Sequence, residues 1–217
     1  MGEPDMKLYK WTTQDGKTRV GYTNETQWGL SVTHTASGEG ELCSPGWLHA
    51  YTDPLLAVML SPIHIPLGYS ILWECDGKVG LSDNGLKVGC TALTTLHTID
   101  IPVVSIEQQV AFAIMCTLEV YYEPRFVEWA NNWLKGVDRT AQAAERAEVR
   151  AVSLSPIELS AARAAEWAAI AARSMEWREK VSVRWAAASS VAVAAKVSGK
   201  PLDLIRLVHK VVYGEWI

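Results

Sequence analysis

This sequence predicts an α+β protein: a β-rich N-terminal module followed by an all-helical, alanine-rich region. Three observations predict it. Twelve of the fifteen glycines lie in residues 1–104, whereas 22 alanines lie in 105–217 and four before. Glycine marks turns and close approaches, and alanine favours helix. The charge divides at the same place, with six bases against eleven acids in 1–104 (net −5) and fourteen against thirteen in 105–217 (net +1). Finally, strong helix-start signals occur mostly after residue 104. The expected domains are therefore a β-rich α+β module, 1–104, and a helical region, 105–217, acting as an assembly element.

The first strand is read at Lys7–Thr12, which alternates and holds Tyr9, Trp11 and Thr12. Asp15-Gly16 gives a hairpin signal, so Thr18–Thr23 is expected to pair with it. Trp28–Thr35 is a third strand, Ser37–Gly40 a loop, Ser44-Pro45-Gly46 a turn and Trp47–Tyr51 a short apolar segment. Asp53-Pro54 combines an N-cap with proline at the first helical position, opening a short helix over Leu55–Leu60. Ile71–Cys75, a turn at Asp76-Gly77, then Leu86–Cys90 and Thr94–Ile99 complete the strands.

In the second region Ser105 and Gln108 form a capping box opening a helix to about Tyr122. Glu123-Pro124 starts another, stopped at Lys135-Gly136, and Asp138 caps Arg139–Arg150. Ser155-Pro156-Ile157-Glu158 joins capping box and proline. An unbroken helix from Pro156 to Val197 would span about 63 Å, longer than a compact domain of this size is wide. Either it folds into a hairpin, breaking near Ser174 or Ser189-Ser190, or it protrudes to pack against another subunit. Homo-oligomerisation is the expectation. Leu204, Leu207, Val208 and Val211 share one face of the final helix, Leu202–Tyr213.

Composition excludes several classes. A net charge of −4 argues against general nucleic-acid binding. No apolar run reaches the length of a membrane span, and the first ten residues lack a signal core, so a cytoplasmic location is expected. Cys43, Cys75, Cys90 and Cys116 form no C-x-x-C pair and are read as free thiols, with no metal. A mixed site of Cys43, His49, Cys75 and Cys90 would need folding to assemble it. No nucleophile elbow or phosphate-binding glycine loop occurs.

The candidate ligand-binding residues are Lys10, Trp11, His49, Tyr51 and Asp53. His49 and Tyr51, two apart, share a strand face, and Asp53 lies just beyond. His49 would serve as a base or donor and Tyr51 as a stacking platform. His34, His64 and His97 are isolated and read as ordinary strand or surface residues. Trp11, Trp28, Trp47 and Trp73 are core residues, of which one or two would line a groove for a planar ligand; Trp129 and Trp133, four apart, pack within the helical region.

Cys43, Gly46, His49, Ala50, Pro54 and Leu55, then Glu74, Gly77, Asp83, Lys87, Val88 and Cys90, resemble the pattern of an uncharacterised domain family of phages and prophages. That resemblance covers about residues 6–104 and implies a phage accessory setting in a host cytoplasm, with no activity attached. Gly46–Ala57, with Leu8–Thr12 before it and Ile71–Val79 after, is similar to the core motifs of ADP-ribosyltransferase-like folds. There the resemblance implies NAD as cofactor, with Tyr51, Lys10 and Glu107 as working residues; Lys10 and Trp11 stand where such enzymes carry histidine and glycine. The leading reading is a non-catalytic accessory protein that binds a nucleotide-like small molecule or a host defence factor. An NAD-using transferase and a purely structural interaction protein are the alternatives.

Overall fold

The strand that opens the molecule does not pair with its neighbour in sequence. The computed structural model describes residues 7–60, 69–147, 155–156, 158–159, 162–166, 188–189, 191–198 and 201–216. It divides into two compact units, Met1–Val103 and Val104–Ile217.

In the first unit β1 (Leu8–Thr13) pairs antiparallel with β6 (Ser70–Ser82), and β6 with β7 (Val88–Ile99). One edge of β7 carries both β4 (Thr33–Thr35) and β5 (Leu48–Ala50). Tyr51, next after β5, exchanges two backbone hydrogen bonds of 2.8 Å with Tyr9 of β1. The pairing thus runs β1–β6–β7–β5 and returns to β1, curling the sheet into a closed ring. Leu8, Trp28, Ala50, Trp73, Cys75, Val88, Cys90 and Leu93 fill the enclosed core.

The expected Asp15-Gly16 hairpin is corrected: Gly16 does turn the chain, but β2 (Lys17–Thr18) pairs with β3 (Thr26–Gln27) instead of β1. Of the expected strand Trp28–Thr35, only β4 is regular strand, although Ser31 and Val32 also bond the backbone of Thr95 in β7. Asp76-Gly77 is no turn either. It lies inside β6, which continues to Ser82, and the chain reverses at Asn84-Gly85. Both residues there have positive φ (48° and 83°) and the Leu86 amide bonds the Asp83 carbonyl, as a tight hairpin turn requires. Gly77 is needed for a different reason: a Cβ there would lie 2.7 Å from the Ala92 carbonyl oxygen. The two strands expected at Leu86–Cys90 and Thr94–Ile99 are one continuous β7.

Helix α1 (Pro54–Met59) forms where the local signal places it. Asp53 Oδ1 accepts from the amides of Leu55 and Leu56 at 2.8 and 3.0 Å. It covers the outer face of β1, where Trp11 Nε1 donates to the Ala57 carbonyl at 2.9 Å. Every described residue of β1 up to Thr12 is therefore buried, one set inside the ring and the other beneath α1.

Every regular element among the described residues of the second unit is a helix. The capping box at Ser105 and Gln108 is made in both directions and opens α2 (Ile106–Leu118). The helix stops short of Tyr122: the amides of Val120 and Tyr121 both turn back to the Thr117 carbonyl at 3.0 and 2.9 Å, and Pro124 holds Glu123 extended. Glu123 then caps α3 (Pro124–Leu134), and α4 (Ala141–Ala147) follows. Ser155 and Glu158 also form their box, at 2.8 and 3.3 Å. The course of residues 167–187, with Trp167, Trp177, Trp185 and the break proposed near Ser174, lies outside the described residues, as does His64. The C-terminal helix, Leu204–Val212, buries Leu204, Leu207, Val208 and Val211, the predicted face. No described helix is long and apolar enough to cross a membrane.

Candidate functional site

Of the five residues singled out above, Lys10 reaches the backbone carbonyl of His49, while Trp11, Tyr51 and Asp53 hold α1 in place. Lys10 lies on the inward face of β1 between Leu8 and Thr12. A lysine there is unusual, since its neighbours on that face are core residues. Its side chain reaches the seam between β1 and β5, where Nζ donates to the His49 carbonyl at 3.0 Å and sits 4.5 Å above the Trp28 ring. The ammonium takes the place that a strand amide would fill. Only 7% of Lys10 is exposed, and burial, reinforced by Arg19, pulls its pKa down to about 8, with Cys75 and Cys90 opposing.

Two further cations contact the chain just before His49. Arg19, in a left-handed backbone conformation (φ 57°), directs Nη2 to the Trp47 carbonyl at 3.4 Å. Lys87 Nζ is 3.3 Å from the Cys43 sulfur. The His49 ring bonds the Leu42 carbonyl through Nε2; a carbonyl only accepts, so Nε2 carries the proton and Nδ1 keeps its lone pair. Burial lowers the His49 pKa to about 4 against the Leu42 bond, and Lys87, Lys10 and Arg19 each push it the same way. The imidazole is neutral at pH 7. None of the three cations forms an ion pair among the described residues. Half of the six bases in residues 1–104, a segment of net charge −5, thus contact residues 43–49.

The cysteine–histidine pattern has a structural basis here. Residues 37–46 form a loop closed by a bond from the Gly38 amide to the Gly46 carbonyl. It is pinned by Trp47 Nε1 to the Gly40 carbonyl, by His49 to Leu42 and by Lys87 to Cys43. A Cβ on Gly89 would lie 2.5 Å from Leu42 Cδ1, so β7 must be bare where the loop packs. Ala50 and Cys90 face the core on the other side. Burial pushes the thiols of Cys75 and Cys90 up to about 12 and 11, so both stay protonated. Among the described residues no cluster of histidine, cysteine and acid is arranged to hold a metal.

The remaining candidates are engaged elsewhere. Tyr51 Oη donates to the Leu60 carbonyl at 3.1 Å, and burial drives its pKa upward. Glu107, in the second unit, pairs with Arg139 at 3.4 Å. The four tryptophans of the sheet unit are buried with their indole nitrogens bonded internally: Trp11 to Ala57, Trp28 to Thr18, Trp47 to Gly40 and Trp73 to Thr12. None offers a free face for stacking. His34 bonds the Gln27 carbonyl. Sequence reasoning missed Arg19, and it quoted Lys87 only as part of a pattern. The scarcity of bases before residue 105 is the signal that could have drawn attention to both.

No protein-family model, curated protein or solved structure matches the chain.

Proposed function

We propose that the sheet unit is a non-catalytic binding module for a small anionic, nucleotide-like molecule, with the helical unit holding copies together in a homo-oligomer. The observation that carries this reading is that Lys10, Arg19 and Lys87, none in an ion pair among the described residues, all contact one segment, 43–49, at the His49 carbonyl, the Trp47 carbonyl and the Cys43 sulfur. An anion placed there gains charge-assisted hydrogen bonds and displaces no internal carboxylate. A protein that keeps cations close together without counterions holds electrostatic strain that an anionic ligand relieves. The engagement of Tyr51 with Leu60 and of Glu107 with Arg139 favours binding over ADP-ribosyl transfer.

Thermal-shift measurement on the full chain with ADP, ATP and pyrophosphate tests the proposal. A binder gains stability with ligand concentration by mass action. Arg19→Gln and Lys87→Gln should each weaken binding roughly tenfold, the scale of one lost charged hydrogen bond. If no anion raises the melting temperature, the reading is wrong.

A further inference from the structure

The loop that delivers Arg19 also carries the best-exposed aromatic side chain near it. Residues 19–25 link β2 to β3. The Tyr22 amide donates to the Arg19 carbonyl at 3.0 Å, with Gly21 at φ 80° between them, so Arg19 and Tyr22 occupy the two ends of a tight turn. Glu25, an acid in this loop, is consumed locally. It accepts from the Gly21 amide at 3.0 Å and pairs with Lys17 at 2.9 Å, and these contacts hold its pKa below the usual carboxylate range. The loop is thus ordered by its own hydrogen bonds and offers one unpaired cation. At its tip Tyr22 is 74% exposed, flanked by the exposed Val20. Every tryptophan of this unit is sealed in the core, which leaves Tyr22 as the exposed aromatic ring of this loop.

We infer that Tyr22 makes the site selective for anions bearing an aromatic base, so that nucleotides are preferred over simple phosphates. Arg19 holds the phosphate and Tyr22 stacks on the base, which projects outward from the ring of strands. This inference rests on the anion site proposed above and names its ligand class more narrowly.

Titration calorimetry on the full chain with ADP and with pyrophosphate separates the two claims. The expected result is ADP binding roughly tenfold or more tighter than pyrophosphate, the scale of one base–aromatic stack. Tyr22→Ala should bring ADP down to the pyrophosphate level with pyrophosphate unchanged, and Tyr22→Trp should keep the preference. Equal binding of both probes by the wild-type protein, or an ADP preference surviving in Tyr22→Ala, overturns the role of Tyr22 and leaves the anion site standing. Failure of both probes to bind overturns the site as well.

Discussion

Replacing Lys10 by methionine should stabilise the protein at neutral pH and reverse its ranking at high pH. Lowering the Lys10 pKa from 10.5 to about 8 means that the folded state holds the proton less tightly than the unfolded chain. At 1.36 kcal/mol per pH unit, keeping that ammonium in the core costs about 3 kcal/mol at pH 7. Methionine fills a similar volume without charge. It leaves the His49 carbonyl without its donor, a loss of about 1–3 kcal/mol. The net expectation is a variant more stable by up to about 2 kcal/mol at pH 7. Between pH 8 and 10.5 the unfolded wild-type chain keeps a proton that the folded one has released, so wild-type stability rises relative to the variant by about 3 kcal/mol. Cys75 and Cys90 act oppositely, since above pH 9 their unfolded thiols ionise while the buried ones do not. Both proteins share that loss, so it largely cancels in the difference. Urea unfolding of the two proteins, followed by tryptophan fluorescence from pH 7 to 10, reads the difference directly. A stability gap that stays constant across this range would refute the reasoning, because it would mean that Lys10 does not change its charge on folding.

His49 should dominate acid sensitivity. The unfolded imidazole takes up a proton near 6.5 and the folded one only near 4, so stability is lost as pH falls through that window, by about 3 kcal/mol at most. His49→Gln should flatten the curve in denaturation at pH 7, 6, 5 and 4; an unchanged slope would locate the sensitivity elsewhere. In the helical unit Gln109 is 1% exposed, and neither atom of its amide group has a hydrogen-bond partner. Gln109→Leu should therefore raise stability by about 1–3 kcal/mol in chemical denaturation, and a destabilised variant would show that the amide is satisfied in solution. Gly77→Ala should cost about 1–3 kcal/mol by the same assay, since its Cβ would press on the Ala92 carbonyl oxygen of β7; a neutral result would contradict the close approach of the two strands.

The helical unit was the more legible part, for a physical reason. Capping is decided within four residues, so Ser105 with Gln108, Glu123 with Pro124 and Ser155 with Glu158 could be read directly. The face formed by Leu204, Leu207, Val208 and Val211 repeats at helical period and needs no distant partner to identify it. Sheet pairing is different. Leu8 lies opposite Cys75, 67 residues away, and nothing near Leu8 announces that choice over the adjacent β2. At Asp76-Gly77 the glycine signalled a turn but answers to crowding from β7, a contact that exists only once the sheet has formed. The Asn84-Gly85 step was the stronger hairpin signal, and its two positive φ angles show why.

The site follows the same logic in reverse. Strand periodicity asks for an apolar side chain at position 10, between Leu8 and Thr12, and the chain supplies a lysine that the core destabilises. Arg19 adopts a backbone conformation that a non-glycine residue rarely takes, at about 1–3 kcal/mol. His49 is held neutral against its tendency to charge below pH 6.5. Each departure is tolerable alone, and each disfavours the folded state. Their meeting at one seam of an otherwise consistent sheet is hard to account for by packing, because methionine at 10 or glycine at 19 would relieve two of them without disturbing the strands. An anion bound beside Arg19 and Lys87 would give the guanidinium a charged partner. Local rules are expected to fail where binding requires it, and in this unit Lys10, Arg19 and His49 break them at the same seam.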